Sequence, residues 1–340
     1  MKRFVFFAFA SLVLLSGCGG KSATTAPSSN LYKATKEMMG TFVTITVVAT
    51  DAEQPKAQQA VANAFDRMRR IEDLMSIHRD DTELAHVNRE AFAAPVRVSD
   101  DTYEVIRASI QFAKDTEGAF DITVGPLVKL WEEAGKTGKL PADAEIKEAL
   151  TRVGAVDKLK LDDKEKTVRF MVRDMSIDLG GIAKGYAVDK AIEVLRAEGM
   201  NNAVVQAGGQ VTAIGRNADG KKWLVDVRNF FRANGHFERL ELENMDVATS
   251  GDYERFVTID GRRYSHIIDP RTGRPVEGAS SVSIIAKDGA TADAWSTAAS
   301  VLGFNKATEL LRKNDRYKDC QLLFAGCTQG FSDYLAPENN

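Results

Sequence analysis

Ile177-Asp178-Leu179-Gly180-Gly181-Ile182-Ala183-Lys184-Gly185-Tyr186-Ala187-Val188-Asp189 divides the chain. A glycine pair and a lysine lead into a helix, and beyond that helix the sequence turns β-rich. Glycines let backbone amides approach a ligand, and a helix N-terminus favours an anion. Lys184 adds a full positive charge. The spacing is neither the GxxxxGK[ST] of a Walker A loop nor the dinucleotide GxGxxG. On these residues alone the segment reads equally as a phosphate cradle or as a tight turn.

Working outward from it, the helix runs from about Gly185 to Arg196 and is closed by Gly199. Val204-Val205, Trp223 to Val227 and Arg255 to Ile259 read as strands. Asp260-Gly261 is a two-residue hairpin signal leading into a strand from Tyr264 to Ile268. After the turn Asp269-Pro270-Arg271-Thr272-Gly273 comes a strand from Ser281 to Ile285. A helix from about Ala292 to Leu302, stopped by Gly303, precedes one more helix. A last hairpin (Leu322 to Ala325, Gly330 to Tyr334) closes the chain.

Towards the N-terminus, Thr41 to Thr50 alternates β-branched residues and reads as a strand. Ala57, Val61, Ala64, Phe65, Met68, Ile71 and Met75 recur at helical spacing. Ser99 is an N-cap candidate for a helix carrying Val105, Ile106, Ser109, Ile110 and Ala113 and ending at Gly118. Helices mixed with hairpin-linked strands predict an α+β fold with mixed, largely antiparallel sheets and packed helices. No repeat or long linker divides residues 33–340, which read as a single catalytic domain.

The first residues stand apart. Lys2 and Arg3 precede an apolar run from Phe4 to Leu15, interrupted only by Ser11. A mature membrane-spanning helix needs about 20 residues, so the run fits a signal peptide instead. It ends in Leu15-Ser16-Gly17-Cys18, which resembles a bacterial lipobox. Residues 1–17 are therefore expected to be a lipoprotein signal peptide and Cys18 the lipidated residue. Residues 18–32, rich in Gly, Ser, Thr and Ala, read as a flexible tether. Two or three acyl chains would hold the domain at a membrane, where one chain binds only marginally.

The net charge is −3, and no block of like charge stands out, which excludes nucleic acid as a partner. Cys320 and Cys327 lie at the two ends of an apolar run. An extended chain at ~3.3 Å per residue holds them too far apart to bond, so both are expected to be unpaired. The four histidines show no HxxxH spacing, which argues against zinc.

Two further stretches carry chemistry. In Thr291-Ala292-Asp293-Ala294-Trp295-Ser296-Thr297, Asp293 and Thr297 are four apart and share a helical face. They read as hard oxygen ligands for Mg²⁺, or else as a helix-dipole carboxylate and an ordinary helical threonine. Arg263-Tyr264-Ser265-His266-Ile267-Ile268-Asp269-Pro270 places an imidazole near the end of a hairpin strand. His266 is there either a general acid/base or a structural residue.

Six segments occur in one order: Met39-Gly40-Thr41, Gly118-Ala119-Phe120-Asp121, Asp178 to Asp189, Thr249-Ser250-Gly251-Asp252-Tyr253, Ser265-His266-Ile267-Ile268-Asp269-Pro270 and Ala292-Asp293-Ala294-Trp295-Ser296-Thr297. That order resembles the ApbE-type FAD:protein FMN transferases over about residues 35 to 335. The resemblance implies that FAD, as substrate, is held by Met39, Ala119, Phe120, Asp121, Asp178, Lys184 and Ile267. It implies Mg²⁺ on the Gly181 carbonyl, Asp293 and Thr297, with Ser296 adjacent, and His266 in turnover. Where many members carry tyrosine, this chain has His78, which still offers a flat ring to stack on the nucleotide. This substitution leaves the balance between transfer and hydrolysis open.

The implied reaction cleaves the FAD pyrophosphate, attaches FMN to a threonine of an acceptor protein and releases AMP. The implied acceptors are subunits of membrane redox complexes, which suits an enzyme anchored on the periplasmic side of the inner membrane. Two alternatives accompany this reading. One is an Mg²⁺-dependent FAD pyrophosphatase, and the other is a non-enzymatic flavin-binding lipoprotein.

Overall fold

A computed structural model describes residues 29–228, 237–251, 256–277, 281–324 and 327–329. Its first two strands, β1 (Ser29–Met38) and β2 (Thr41–Thr50), form a hairpin. The Met39-Gly40 turn has positive φ at both residues (53° and 69°), the geometry that suits the twist of a two-residue hairpin. β1 takes up residues 29–32, which the sequence reading gives to the tether.

α1 (Gln54–Met75) buries the predicted apolar stripe in full, with Ala60 added. α2 (Glu83–Glu90) is capped by the Thr82 hydroxyl. After β3 (Val96–Arg97), Ser99 caps α3 (Asp100–Asp115) as expected, accepting from the Thr102 N–H. The helix stops at Asp115, and the chain turns through Gly118 (φ 78°). α4 (Gly125–Thr137), α5 (Asp143–Leu150), α6 (Ala155–Lys158), β4 (Leu159–Asp162) and β5 (Thr167–Phe170) follow. α7 (Ala183–Ala197) rises directly from the glycine pair.

The β-rich half contains β6 (Ala203–Ala207), β7 (Gln210–Ile214), β8 (Trp223–Arg228), β9 (Phe237–Leu242) and β10 (Met245–Ser250). β11 (Phe256–Ile259) and β12 (Arg262–Ser265) meet at Asp260-Gly261, with positive φ at both residues (49° and 77°). β12 ends at Ser265, so His266 to Ile268 lie beyond the strand. β13 (Val282–Ala286) leads to α8 (Gly289–Lys313), which breaks at Gly303 (φ 73°, ψ 167°), where the glycine signal stands. β14 (Gln321–Phe324) and β15 (Cys327–Gln329) close the described chain. The returning arm thus begins at Cys327, earlier than expected, and residues 330–334 lie outside the described residues. Cys320 is unpaired; the side chain of Cys327 lies outside the description.

Eight strands form the main sheet in the order β1-β2-β6-β7-β10-β13-β14-β15, and every neighbouring pair is antiparallel. Val43, Ile45 and Val47 alternate onto one face, where they join Phe65, Met68, Ala187, Ala191 and Trp295 in the main core. α1, α7 and α8 cover that face. The β8–β9 hairpin covers the other through Trp223, Val225, Leu240 and Leu242. A third apolar cluster (Leu127, Trp131, Ile146, Ile259, Ile268) seats α4 and α5 against the β11–β12 hairpin. The fold is α+β with antiparallel sheets, as the sequence predicts. Among the described residues no helix is long and apolar enough to cross a membrane.

Candidate active site

The glycine segment is held from three sides. Asn88 on α2 pairs with the backbone of Ile177, donating to its O (3.0 Å) and accepting from its N–H (2.8 Å). The Asp178 N–H donates to Ile122 O (2.7 Å), which ties the segment to the Gly118–Asp121 turn. The Asp178 carboxylate accepts from the Gly180 N–H (2.7 Å) and closes the bend into the glycine pair.

Gly181 lies against the ring of Phe120 and the side chain of Thr297. A Cβ added there would sit 3.2 Å from Phe120 Cε2 and 3.2 Å from Thr297 Oγ1. Segments far apart in the sequence thus meet where the chain has no side chain to keep them apart. Asp293, one turn before Thr297, is 4% exposed. Its Oδ2 accepts from the Gly185 N–H (3.1 Å), and Lys184 Nζ lies 3.4 Å from both carboxylate oxygens. Lys184 also donates to Gly180 O (3.2 Å).

A buried carboxylate, a threonine hydroxyl one turn on and the backbone of a glycine bend form a set of hard oxygen donors suited to Mg²⁺. Thr297 Oγ1 lies against Gly181 and the Asp293 carboxylate against Gly185 and Lys184, so the donor chemistry at the start of α7 fits such an ion. Among the described residues no three His, Cys, Asp or Glu side chains gather as a metal set. A site built from a single carboxylate is of a different kind.

The resemblance also gives Ser296 and Asp121 to this site, and the structure gives both other employment. The Ser296 hydroxyl is fully buried, donates to Asp293 O (2.9 Å) and lies 2.7 Å from the Ser250 hydroxyl, on the sheet side of α8. Asp121 Oδ1 accepts from the N–H (2.8 Å) and hydroxyl (2.6 Å) of Thr123, and Oδ2 from the Ala155 N–H (2.9 Å). One carboxylate oxygen of Asp121 thus holds its own turn, and the other ties that turn to the start of α6. Ala119 and Phe120 are likewise buried.

His266 is exposed just past β12, while Ile267 beside it is buried. The loop is fixed by Ile267 N–H to Ser265 Oγ (3.1 Å), Val276 N–H to Ile267 O (2.9 Å) and Trp131 Nε1 to Gly273 O (2.9 Å). It approaches the Gly118 turn through Arg271, whose Cγ would lie 3.8 Å from a Gly118 Cβ. Arg271 is itself paired with Asp269 (2.9 Å), which raises its pKa.

Met39 and His78 are each anchored by a backbone hydrogen bond. The Met39 N–H donates to Glu72 Oε1 (2.6 Å) on α1, which holds the left-handed turn. His78 is exposed, and its N–H donates to Ser76 Oγ (3.3 Å). Glu72 and Asn88 carry no motif signal, since their partners lie 33 and 89 residues away.

Behind the cluster sits a second carboxylate. Asp246 on β10 is fully buried and accepts from Gln210 Nε2 (2.5 Å) and the Thr212 hydroxyl. Burial first, then the neighbouring charges of Asp189 and Asp293, raise its pKa well above the ordinary aspartate value. Asp189 on α7 is pushed up to about 7, chiefly by burial, although two backbone N–H groups favour its charged form.

The model of the ApbE family matches residues 39–322, most of the chain. The chain belongs to the ApbE family. It is 30% identical over 335 residues to a FAD:protein FMN transferase of Salmonella typhimurium, covering 97% of this chain and 94% of that one. A FAD:protein FMN transferase of Haemophilus influenzae is 36% identical over 249 residues, 71% and 72% of the two chains. Among solved structures, the ApbE protein of Thermotoga maritima aligns with TM-score 0.79 at 34% identity, covering 91% of this chain and all of that one. The flavin transferase ApbE of Vibrio cholerae aligns with TM-score 0.74 at 30% identity, covering 87% and 93%.

Proposed function

We propose that this ApbE-family protein transfers FMN from FAD to a threonine of an acceptor protein and releases AMP. The observation that carries the reading is the meeting of Gly181, Lys184, Asp293 and Thr297 across the start of α7 and the first turns of α8. Similarity to named FAD:protein FMN transferases over nearly the whole chain supports it.

In the reaction the acceptor hydroxyl oxygen forms a bond to the FMN phosphorus. The P–O bond to the bridging oxygen breaks, and AMP leaves with that oxygen. The hydroxyl proton must be taken up, and His266, exposed at the end of β12, is the group proposed to accept it. Lys184 offsets the negative charge that grows on the transferring and departing phosphates. Asp293, Thr297 and the Gly181 carbonyl would hold Mg²⁺, which when bound supplies Lewis-acid stabilisation of the same charge. Met39, His78, Ala119, Phe120, Asp178 and Ile267 are proposed to line the FAD site, and Asp121 to shape its turn.

The same reading places the enzyme at the periplasmic face of the inner membrane, held by lipid on Cys18, with membrane redox-complex subunits as acceptors. Support for this comes from the N-terminal sequence and the family resemblance. Cys18 and the signal segment lie outside the described residues. The reading is tested by incubating the protein with FAD and Mg²⁺ and following AMP by chromatography, with and without an acceptor subunit. AMP release that depends on acceptor is expected. FAD that stays bound and intact in all mixtures would overturn the reading in favour of a flavin carrier.

A further inference from the structure

α7 and α8 start against one another. A Cβ on Gly185 would run into Gly289 O, and one on Gly289 would lie 2.6 Å from Gly185 O. Around this crossing two contacts run in opposite senses, each one helical turn from it. The Gly185 N–H on α7 donates to Asp293 on α8, four residues after Gly289. Asp189, four residues after Gly185, accepts from the first N–H groups of α8, with Oδ1 to Gly289 N at 2.7 Å and Oδ2 to Ala290 N at 2.9 Å. One carboxylate on each helix thus grips the backbone of the other.

We propose that Asp189 is a positioning residue for the metal-holding face of α8, acting through this reciprocal clamp and not by touching ion or substrate. The inference rests on the metal reading above. Residues i and i+4 share a helical face, so a grip at Gly289 fixes the rotation and height of Asp293 above the glycine bend. The α8 start has its own cap, the Asp288 carboxylate accepting from Thr291 N (2.8 Å), which holds the helix end without gripping the α7 backbone. Asp189 couples that end to α7, the helix that follows Gly181 and carries Lys184 in its first turn. Removing its carboxylate leaves two N–H groups without their acceptor and lets α8 turn relative to α7.

The separation of these two caps supplies the test. Mg²⁺ alone is titrated calorimetrically into the full chain and into Asp189→Asn, Asp288→Ala and Asp293→Ala, with thermal unfolding and FAD fluorescence quenching followed in parallel. The substituted amide in Asp189→Asn keeps the size of the side chain but presents an N–H₂ to one of the two N–H groups. Asp189→Asn is expected to weaken Mg²⁺ binding about tenfold, the scale of lost support behind a metal ligand, with FAD quenching within about twofold of wild type. Asp288→Ala is expected to lower the unfolding temperature and leave Mg²⁺ affinity unchanged. Unchanged Mg²⁺ affinity in Asp189→Asn, with Asp293→Ala weakened, would overturn the positioning role and leave the metal reading standing. Equal weakening in Asp189→Asn and Asp288→Ala would also overturn it, as helix fraying. If Asp293→Ala binds Mg²⁺ like wild type, the metal reading and this inference fall together.

Discussion

The Gly185 N–H points at Oδ2 of Asp293, 3.1 Å away and 108 residues along the chain. A backbone donor on one helix thereby fixes the carboxylate that the other helix brings to the glycine bend. The contact exists only because neither helix carries a side chain at the crossing. Gly185→Ala must therefore push α7 from α8, at a cost of about 1–3 kcal/mol for overpacking. Denaturant unfolding should show that loss together with reduced activity at saturating FAD. A variant as stable and active as wild type would mean that the crossing is looser than described.

Asp293 and His266 should fail differently. Asp293→Ala is expected to raise the Mg²⁺ concentration needed for activity far more than the FAD concentration. His266→Ala should leave both requirements near wild type and slow turnover by roughly 10²–10⁴-fold, the scale of a lost general acid/base. Steady-state kinetics across FAD and Mg²⁺ concentrations separate the two. Equal loss of binding and rate at His266 would make it a ligand-holding residue.

The buried Asp246 gives a pH signature. Its folded pKa lies well above the unfolded value of about 3.9. Its neutral form is thus favoured by folding, and this contribution is present below about pH 4 and is lost as pH rises towards the folded pKa. Asp189, pushed up to about 7, acts in the same direction over the window from about pH 4 to 7. An asparagine cannot ionise, so in metal-free buffer Asp246→Asn should gain stability relative to wild type as pH rises from about 5 to 8. Parallel midpoint-versus-pH curves for the two proteins would refute a neutral Asp246.

Cys18→Ala should abolish incorporation of a palmitate analogue in cells and leave an unacylated protein. Persistent labelling would mean that the lipid anchor is elsewhere.

Much of this arrangement can be read from local sequence, and the reasons are physical. α1 and α3 announce themselves through apolar residues at helical spacing, and β2 through alternation. The β11–β12 turn is readable because only residues such as Asp and Gly accept positive φ at low cost. β7 and β10 are not readable in this way. β7 buries four of its five residues, including the polar Gln210, and β10 carries the buried Asp246, so neither alternates apolar with polar. α4 opens on Gly125-Pro126, which reads as a breaker until the helix is seen to start there. In the site, the spacing of Asp293 and Thr297 shows only that they share a helical face, and the resemblance supplies their metal reading. Glu72, Asn88 and the grip of Asp189 on α8 are not legible, since each is a contact between distant segments. Ser296 and Asp121 show the converse: a motif position whose side chain the fold employs for its own hydrogen bonds.

Transfer of FMN to protein is tested most sharply at His78. The imidazole is solvent-exposed beside Ser76 and stands where many family members carry tyrosine, so water could compete with the acceptor hydroxyl. The decisive measurement is intact-mass analysis of a redox-pump subunit bearing the target threonine, after incubation with this enzyme, FAD and Mg²⁺. The subunit is expected to gain one FMN, less water, as AMP appears in equal amount, and His78→Tyr to raise the labelled fraction further. Free FMN and AMP with the subunit unmodified at every concentration would contradict transfer and make the protein an FAD pyrophosphatase.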